Sequence, residues 1–193
     1  MAYDAAATRR RILEAATTEF AAHGVAGARV DRIARDAQAN KRALYDYFGD
    51  KKALFAAVLE RQLSHITEAV PITGDDLPGY ARRLAEYHTA HPETMRLLLW
   101  EALELGDTQV PAEAARTRHY QDKVDAAREA GHVEDPRATV FFTLAVAGWA
   151  FAVPQLRRMV LGDGYPPERL QAAIADAVRA LAAERDETVS GPA

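Results

Sequence analysis

Cationic and phenolic side chains gather between residues 41 and 51 at spacings that suit contact with a polyanion. Lys41 and Arg42 are adjacent, Tyr45 and Tyr47 follow within two helical turns, and Lys51 comes four residues later. Ammonium, guanidinium and phenolic hydroxyl groups all donate hydrogen bonds to phosphate oxygens. Arginine is also the preferred bidentate partner of guanine. These residue types favour nucleic-acid binding, with Arg42 as the candidate base reader.

A plainer interpretation exists for each of these side chains. Arg42 either reads a base, or it contacts a phosphate or is simply solvated. Tyr45 and Tyr47 either contact DNA or are half-buried aromatic side chains of the core. The run Arg9-Arg10-Arg11 stands near the start of a predicted helix, where cations oppose the helix dipole. It is either directed at phosphate or a minor groove, or it is the solvated start of that helix.

Catalytic and metal-binding side chains are scarce. Cysteine is absent, which excludes disulfides, thiolate nucleophiles and zinc–thiolate sites. The serines are Ser64 and Ser190 alone, which argues against a Ser–His–Asp hydrolase. His88 and His91 lie three residues apart, but no second histidine pair completes a metal site. We expect no enzyme activity, no catalytic residue, no metal and no cofactor.

Charge is distributed unevenly along the 193 residues. The chain has 24 Lys and Arg against 28 Asp and Glu, a net charge of −4. Residues 1–60 hold ten basic and eight acidic side chains, whereas the remainder holds 14 basic and 20 acidic ones. Positive potential concentrated on one module attracts polyanions. The acidic average therefore conceals a basic N-terminal part attached to an acidic body.

The composition predicts an all-α fold of about nine helices. The chain has 41 alanines, and alanine is the best helix former and a poor strand residue. Apolar residues recur at helical spacing, and strand-like alternation is absent. No apolar run approaches the ~18 residues of a membrane span. We therefore expect no membrane partner and, because cysteine is absent, a cytoplasmic protein.

The first three predicted helices fit a helix-turn-helix arrangement. Residues 8–23, 30–37 and 41–48 have helical periodicity, and Gln38-Ala39 is suited to the tight turn. Asn40 is suited to the N-cap of the third helix, because its side chain can accept an orphan backbone N–H. The last helix of such a motif lies in the DNA major groove.

Two spaced motifs carry a resemblance to a known family. Val30-x-x-Ile33-Ala34 is followed by Lys41-x-x-Leu44-Tyr45-x-Tyr47-Phe48-x-x-Lys51-x-x-Leu54. Over roughly residues 8–58 this pattern resembles the DNA-binding head of the TetR family of transcriptional regulators. The resemblance implies a homodimeric repressor that binds a palindromic DNA operator. It also implies release of the operator when a small apolar effector enters the C-terminal body.

The chain departs from the family pattern at the turn and on the recognition helix. Gln38-Ala39-Asn40 replaces the usual glycine, apolar residue and Ser or Thr, so Gln38 is expected to adopt a left-handed backbone at a cost of roughly 1 kcal/mol. Arg42 and Ala43 replace a small residue and a threonine, and Arg29 stands where Ser or Thr often contacts phosphate. The predicted DNA-binding residues are Arg29, Asn40, Lys41, Arg42, Ala43, Tyr45, Tyr47 and Lys51.

The remainder of the chain is expected to bind the effector and to dimerise. Small residues interleave with large apolar ones in the last two long helices, a pattern that suits either a four-helix interface between two subunits or an intrachain core. Pro154 is expected to kink or break the first of these helices. Apolar walls with few polar groups are typical of ligand pockets, although each candidate is also suited to an ordinary core. The candidate pocket residues are Tyr87, Met95, Leu99, Trp100, Leu103, Tyr120, Phe142 and Trp149.

These observations predict three segments. Residues 1–50 form a helix-turn-helix DNA-binding domain, residues 51–185 form an effector-binding and dimerisation domain, and residues 186–193 form a disordered tail. The alternative function is a helical ligand- or metal-binding bundle whose basic N-terminal part is incidental.

Overall fold

Ten helices and no strand are present in residues 5–183, the part of the chain that the structure, a computed structural model, describes. The all-α prediction is therefore confirmed, whereas the expected tail at 186–193 lies outside the described residues. The helices are α1 (Ala5–Gly27), α2 (Val30–Asp36), α3 (Lys41–Phe48), α4 (Lys51–Ala69), α5 (Leu77–Ala90), α6 (Pro92–Leu105), α7 (Glu113–Ala130), α8 (Pro136–Ala152), α9 (Pro154–Leu161) and α10 (Pro167–Ala182).

The count exceeds the expected nine because the predicted long helix breaks at Pro154. Val153 leaves the helical region with φ −124° and ψ 67°, and α8 and α9 meet at a bend of 83°. Proline lacks an N–H and clashes with the preceding turn, so the expected break is confirmed. No single described helix is long and apolar enough to cross a membrane, and α8 and α9 reach that length and hydropathy only as a bent pair.

The described chain divides into two compact units. One contains the residues up to Ala69 together with His88–Glu113. The other contains Val70–Tyr87 and the described residues from Ala114 onward. The helix-turn-helix elements α2 and α3 belong to the first unit.

One apolar cluster holds the first unit together. Ile12 and Phe20 lie two turns apart on α1 and are fully buried. Phe20 meets Phe55 of α4 edge-to-face, with 5.2 Å between ring centroids. Ile33 of α2 and Leu44 of α3 enter the same cluster. Burial of one side chain from each helix fixes the helix-turn-helix pair against α1 and α4.

The turn between α2 and α3 has the predicted geometry. Gln38 has φ 51°, which confirms the left-handed position expected where the family usually has glycine. The N–H of Ala39 donates to the Ala34 carbonyl at 2.9 Å. Asn40 Oδ1 accepts the N–H of Ala43 at 2.7 Å, which confirms the predicted N-cap.

Helix α1 continues past its expected end at Gly24 and bends there. Gly24 has φ 66° and ψ −177°, a conformation that only glycine adopts freely. The Trp100 ring of α6 lies where a side chain would stand, 2.7–2.9 Å from an ideal Cβ. The Ala21 carbonyl, just before the bend, accepts Arg96 Nε at 2.7 Å and Trp100 Nε1 at 3.3 Å. Helix α6 is thereby fastened to α1 at the bend.

The second unit buries apolar side chains from α5, α7, α8 and α10. Tyr80, Val124, Val140 and Val178 are each 5% exposed or less. Helix α8 begins at an N-cap, where Asp135 Oδ1 accepts two backbone N–H groups at 3.0 Å. Large apolar side chains nevertheless remain exposed on α8 and α9, namely Phe141, Phe142, Trp149, Leu156, Met159 and Val160.

The bend in α1 gives a stability prediction. Gly24→Ala should lower the free energy of unfolding by about 2–4 kcal/mol, because alanine is strained at this φ and its methyl group overlaps the Trp100 ring. Gly27→Ala is the matched control, since its Cβ meets nothing closer than 3.4 Å, and its effect should stay within about 1 kcal/mol. Urea unfolding of both variants measures the difference. Equal effects would contradict the role assigned to the bend.

Candidate nucleic-acid interface

The outer face of α3 carries the predicted cations and one of the predicted phenols. Lys41, Arg42 and Tyr45 are all exposed, and the Arg42 side chain is 89% accessible. On the opposite side Leu44 is 2% exposed and anchors the helix in the core. Asn40, also exposed, begins the helix as its cap. The burial of Leu44 therefore directs Arg42 and Tyr45 outward.

Carboxylates already neutralise the two α3 cations. Lys41 Nζ lies 3.0 Å from Asp31 Oδ1, and Arg42 Nε lies 3.7 Å from Asp46 Oδ2. The hydrogen bond to Asp31 raises the pKa of Lys41. Ion pairs this exposed contribute little to stability, because solvent screens them. They position the cations and can be exchanged for phosphate contacts at little cost.

Tyr47 and Lys51 lie at the margin between this face and the core. Tyr47 is half-buried and packs against the apolar cluster. Lys51 Nζ donates to the carbonyls of Ala26 and Ala28, at 3.4 and 3.3 Å. A cation near a helix C-terminus is favoured by the helix dipole. An ammonium has three N–H groups, so these two bonds leave one for an outside acceptor.

Two predicted DNA-binding residues fix the starts of helices through their backbone N–H groups. Ala43 is predicted to contact DNA, but it is 8% exposed and lies on the inner side of α3 rather than on its outer face. Its methyl group packs inward at the start of α3, and its N–H donates to Asn40 Oδ1. Arg29 is exposed and precedes α2, and its backbone N–H donates to Glu19 Oε1 at 2.7 Å.

The three consecutive arginines of α1 have separate surroundings. Arg9 lies over the Phe48 ring, 5.2 Å from its centroid. Arg10 is exposed and lies 3.9 Å from Glu14. Arg11 Nε donates to the Ala37 carbonyl at 3.1 Å, and its Nη2 donates to the Thr8 hydroxyl. Arg11 therefore joins α1 to the end of α2, whereas Arg9 and Arg10 are both exposed.

Glu19 organises the helix-turn-helix pair and was missed by the sequence analysis. Its side chain is 8% accessible and accepts Arg32 Nε at 2.9 and 3.0 Å on its two oxygens. Burial raises the pKa of this carboxyl, but the hydrogen bonds from Arg32 and from the Arg29 N–H outweigh it and hold the pKa below its ordinary value. The sequence does hold one indication of this role: Glu19 is an acidic residue on the apolar stripe of α1, directly before Phe20.

Comparisons with known proteins give the family. Residues 12–58 match the family described as bacterial regulatory proteins of the tetR family. Residues 76–180 match the Tetracyclin repressor-like C-terminal domain. The chain is also 48% identical, over 169 residues, to the HTH-type transcriptional repressor SCO4008 of Streptomyces coelicolor, an alignment that covers 84% of this chain and 88% of that protein. The chain belongs to the TetR family of transcriptional regulators.

Other known proteins are similar to this chain over shorter stretches or at lower identity. The HTH-type transcriptional repressor NicS of Pseudomonas putida is 35% identical over 106 residues, 51% of this chain and 50% of NicS. The crystal structure of SCO4942 from Streptomyces coelicolor is 35% identical with a TM-score of 0.80, covering 90% of this chain and 97% of that one. The structure of AibR with isovaleryl coenzyme A and operator DNA shares the fold at 19% identity and a TM-score of 0.67, over 88% of this chain and 97% of AibR.

The pocket candidates of this TetR-family chain fall into both units. Met95, Leu99, Trp100 and Leu103 lie on α6 in the first unit, and Leu103 is 75% exposed. Trp100 packs against the apolar cluster and over Gly24, so its indole N–H is used within that unit. In the second unit Tyr87 is buried, whereas Tyr120, Phe142 and Trp149 are 40–58% exposed.

No group of three His, Asp or Glu side chains that could hold a metal ion occurs within residues 5–183. His88 is buried, and burial lowers its pKa to about 4. His91 precedes α6 and lies 3.4 Å from Glu93.

The buried Glu19 carboxylate gives a pH-dependent prediction. Glu19→Gln should lower the free energy of unfolding by about 1–3 kcal/mol at pH 7, because Arg32 loses its counter-charge. Since the pKa of Glu19 is lowered by folding, this stabilisation is complete above the ordinary value of 4.5 and is lost as the pH falls through the lower, folded value. Urea unfolding of wild type and variant between pH 7 and about pH 3.5 measures the difference between their free energies of unfolding, which should become smaller as the pH falls.

Glu14→Gln is the matched control on the same helix. Glu14 is 54% accessible and pairs only with Arg10 and Arg61, at 3.9 and 3.5 Å. Its substitution should change the free energy of unfolding by less than about 0.5 kcal/mol. A Glu19→Gln variant as stable as this control would contradict the organising role of Glu19.

Proposed function

We propose that this TetR-family regulator is a one-component repressor that binds a palindromic DNA operator as a homodimer and releases it when a small apolar effector binds. The observation that supports DNA binding best is the outer face of α3, where Lys41, Arg42 and Tyr45 project away from a buried anchor at Leu44. Such a helix presents its side chains to the major groove. In this role the chain acts in the cytoplasm as a regulator and catalyses no reaction.

The proposed contacts divide into base reading and backbone positioning. Arg42 reads a base edge, because its guanidinium is the most accessible donor on the helix. Lys41, Tyr45, Tyr47 and Lys51 donate to phosphates, and Arg29 does so beside the start of α2. Asn40 and Ala43 hold the first turn of α3 in place through the cap.

The experiment uses an operator selected by the wild-type protein from a random duplex pool. Arg42→Ala should cost roughly 1–3 kcal/mol on that operator and relax the preference at one base pair. Lys51→Ala should weaken binding to the operator and to random duplexes by the same factor. It should also reduce the slope of log K against log salt concentration by about one. Fluorescence anisotropy at several salt concentrations measures both effects.

Two outcomes would contradict these assignments. If Arg42→Ala weakens binding to every duplex by the same factor, Arg42 contacts a phosphate and does not read a base. If the wild-type protein shows no salt-dependent affinity for any duplex, the DNA-binding proposal itself fails.

We place the dimer interface on the last two long helices, α8 and α10. They pack against each other within the second unit, yet α8 keeps Phe141 66% exposed and α10 keeps Leu181 46% exposed. Exposed apolar side chains along two packed helices suit a four-helix interface with a second copy. A two-fold dimer also sets the two recognition helices about 34–36 Å apart, the spacing of successive major grooves.

Phe141→Asp should convert the dimer to a monomer, because it buries a charge in the apolar interface. The monomer should bind one operator half-site only weakly. Light scattering coupled to size exclusion measures the mass. Arg118→Asp, an exposed position on α7 of the same unit, should remain a dimer. A dimeric Phe141→Asp protein would move the interface away from this face of α8.

The proposed division of labour follows the predicted segments, with DNA binding in residues 1–50 and effector binding and dimerisation in residues 51–185. Release requires that the effector bind one arrangement of the two heads better than another, since a ligand shifts an equilibrium only through differential affinity. Within the second unit the proposed effector contacts are Tyr87, Tyr120, Phe142 and Trp149. Met95, Leu99, Trp100 and Leu103 on α6 belong to the first unit and stay a separate prediction.

A further inference from the structure

Lys123 of α7 is a buried cation. It is the only lysine beyond residue 60, and the other Lys and Arg positions in that part of the sequence are all arginines. The Lys123 residue is 5% exposed. Its Nζ donates to the Tyr80 hydroxyl of α5 at 2.9 Å and lies 5.1 Å from the centroid of that ring. Both residues belong to the second unit. A buried ammonium is costly unless an opposite charge accompanies it.

Within residues 5–183 no opposite charge lies at bonding distance from the Lys123 ammonium. In the described part of the chain no carboxylate oxygen lies within 4.0 Å of Lys123 Nζ. Burial lowers the pKa of Lys123, and the neighbouring Asp122, which is exposed, offsets this only in part. A phenol oxygen and an aromatic face stabilise a cation less than a carboxylate does.

Other hydrogen-bonding groups face the same place. The charge of Lys123, after burial, lowers the pKa of His119. Burial and then the proximity of Tyr120 raise the pKa of Tyr80. Tyr120 lies three residues before Lys123, hence on the same side of α7, and is 40% exposed. The cluster of Tyr80, His119, Tyr120 and Lys123 therefore extends from the interior of the second unit to its surface.

We propose that Lys123 and Tyr80 bind the acid group of an anionic effector, a carboxylate or a phosphate monoester. The proposal rests on the proposed function and specifies its ligand as an amphipathic anion with an apolar portion. Tyr80 uses one of the three ammonium N–H groups, so the others remain for the ligand. The bound anion supplies the counter-charge that the described residues of the second unit lack around Lys123.

The test compares three ligands with the same chain length and different head groups: octanoate, octyl phosphate and octanamide. Thermal melting of the full-length protein is titrated with each. Octanoate, octyl phosphate or both should bind the wild type at least about tenfold more tightly than the neutral amide. The two acid arms distinguish a carboxylate effector from a phosphate effector.

The double variant Lys123→Met with Tyr80→Phe removes both members of the pair, so that neither leaves the other buried without a partner. It should melt at or above the wild-type temperature without ligand and should bind all three ligands equally. Arg118→Met, an exposed cation on the same helix, should keep the preference for anions.

Three results would overturn the proposal. They are equal binding of acids and amide by the wild type, a preference for acids that survives in the double variant, and a double variant that melts below the wild type. The last result would assign the pair to stability alone. Operator binding by the ligand-free wild type is measured separately, so a failure of the DNA-binding proposal is distinguishable from a failure of this one.

Discussion

The Glu19 carboxylate on α1 accepts both the Arg32 guanidinium and the backbone N–H of Arg29, and through these bonds it joins α1 to the beginning of α2. Apolar packing alone leaves helices free to rotate, because the hydrophobic effect has no direction. A charged group with fixed hydrogen-bond geometry removes that freedom. The orientation of α2, and of α3 beyond the tight turn, therefore depends on this contact together with the buried Ile33 and Leu44.

Local features of the fold could be predicted from the sequence because their causes lie within a few residues. Helical periodicity, the Asn40 cap and the left-handed Gln38 each depend on near neighbours. The Glu19–Arg32 pair joins residues 13 positions apart in the sequence. A glutamate or an arginine in a sequence does not indicate which distant residue it pairs with. The same holds for Trp100, whose ring is placed by the bend at Gly24. Pro154 predicted a break but not its 83° angle.

The candidate site shows the same limit. Exposure of Lys41, Arg42 and Tyr45 follows from the helical spacing of Leu44 and could be predicted, whereas the inward position of Ala43 depends on how the start of α3 packs. The carbonyl partners of Lys51 lie 23 and 25 residues away and leave no trace in the local pattern. The contacts of Lys41, Arg42, Tyr45 and Lys51 with DNA remain predictions, because affinity for DNA also depends on the sequence and shape of the duplex.

The near-complete accessibility of Arg42 has an evolutionary consequence. The outer face of α3 carries the exposed ion pairs Arg42–Asp46 and Lys41–Asp31, whereas the buried apolar cluster and the Glu19 carboxylate stabilise the unit. Substitutions at residues 41, 42 and 45 thus cost little folding free energy. If residues 41, 42 and 45 contact the operator as proposed, a duplicated copy of this gene can acquire a different target sequence through a few surface changes, without passing through an unstable intermediate.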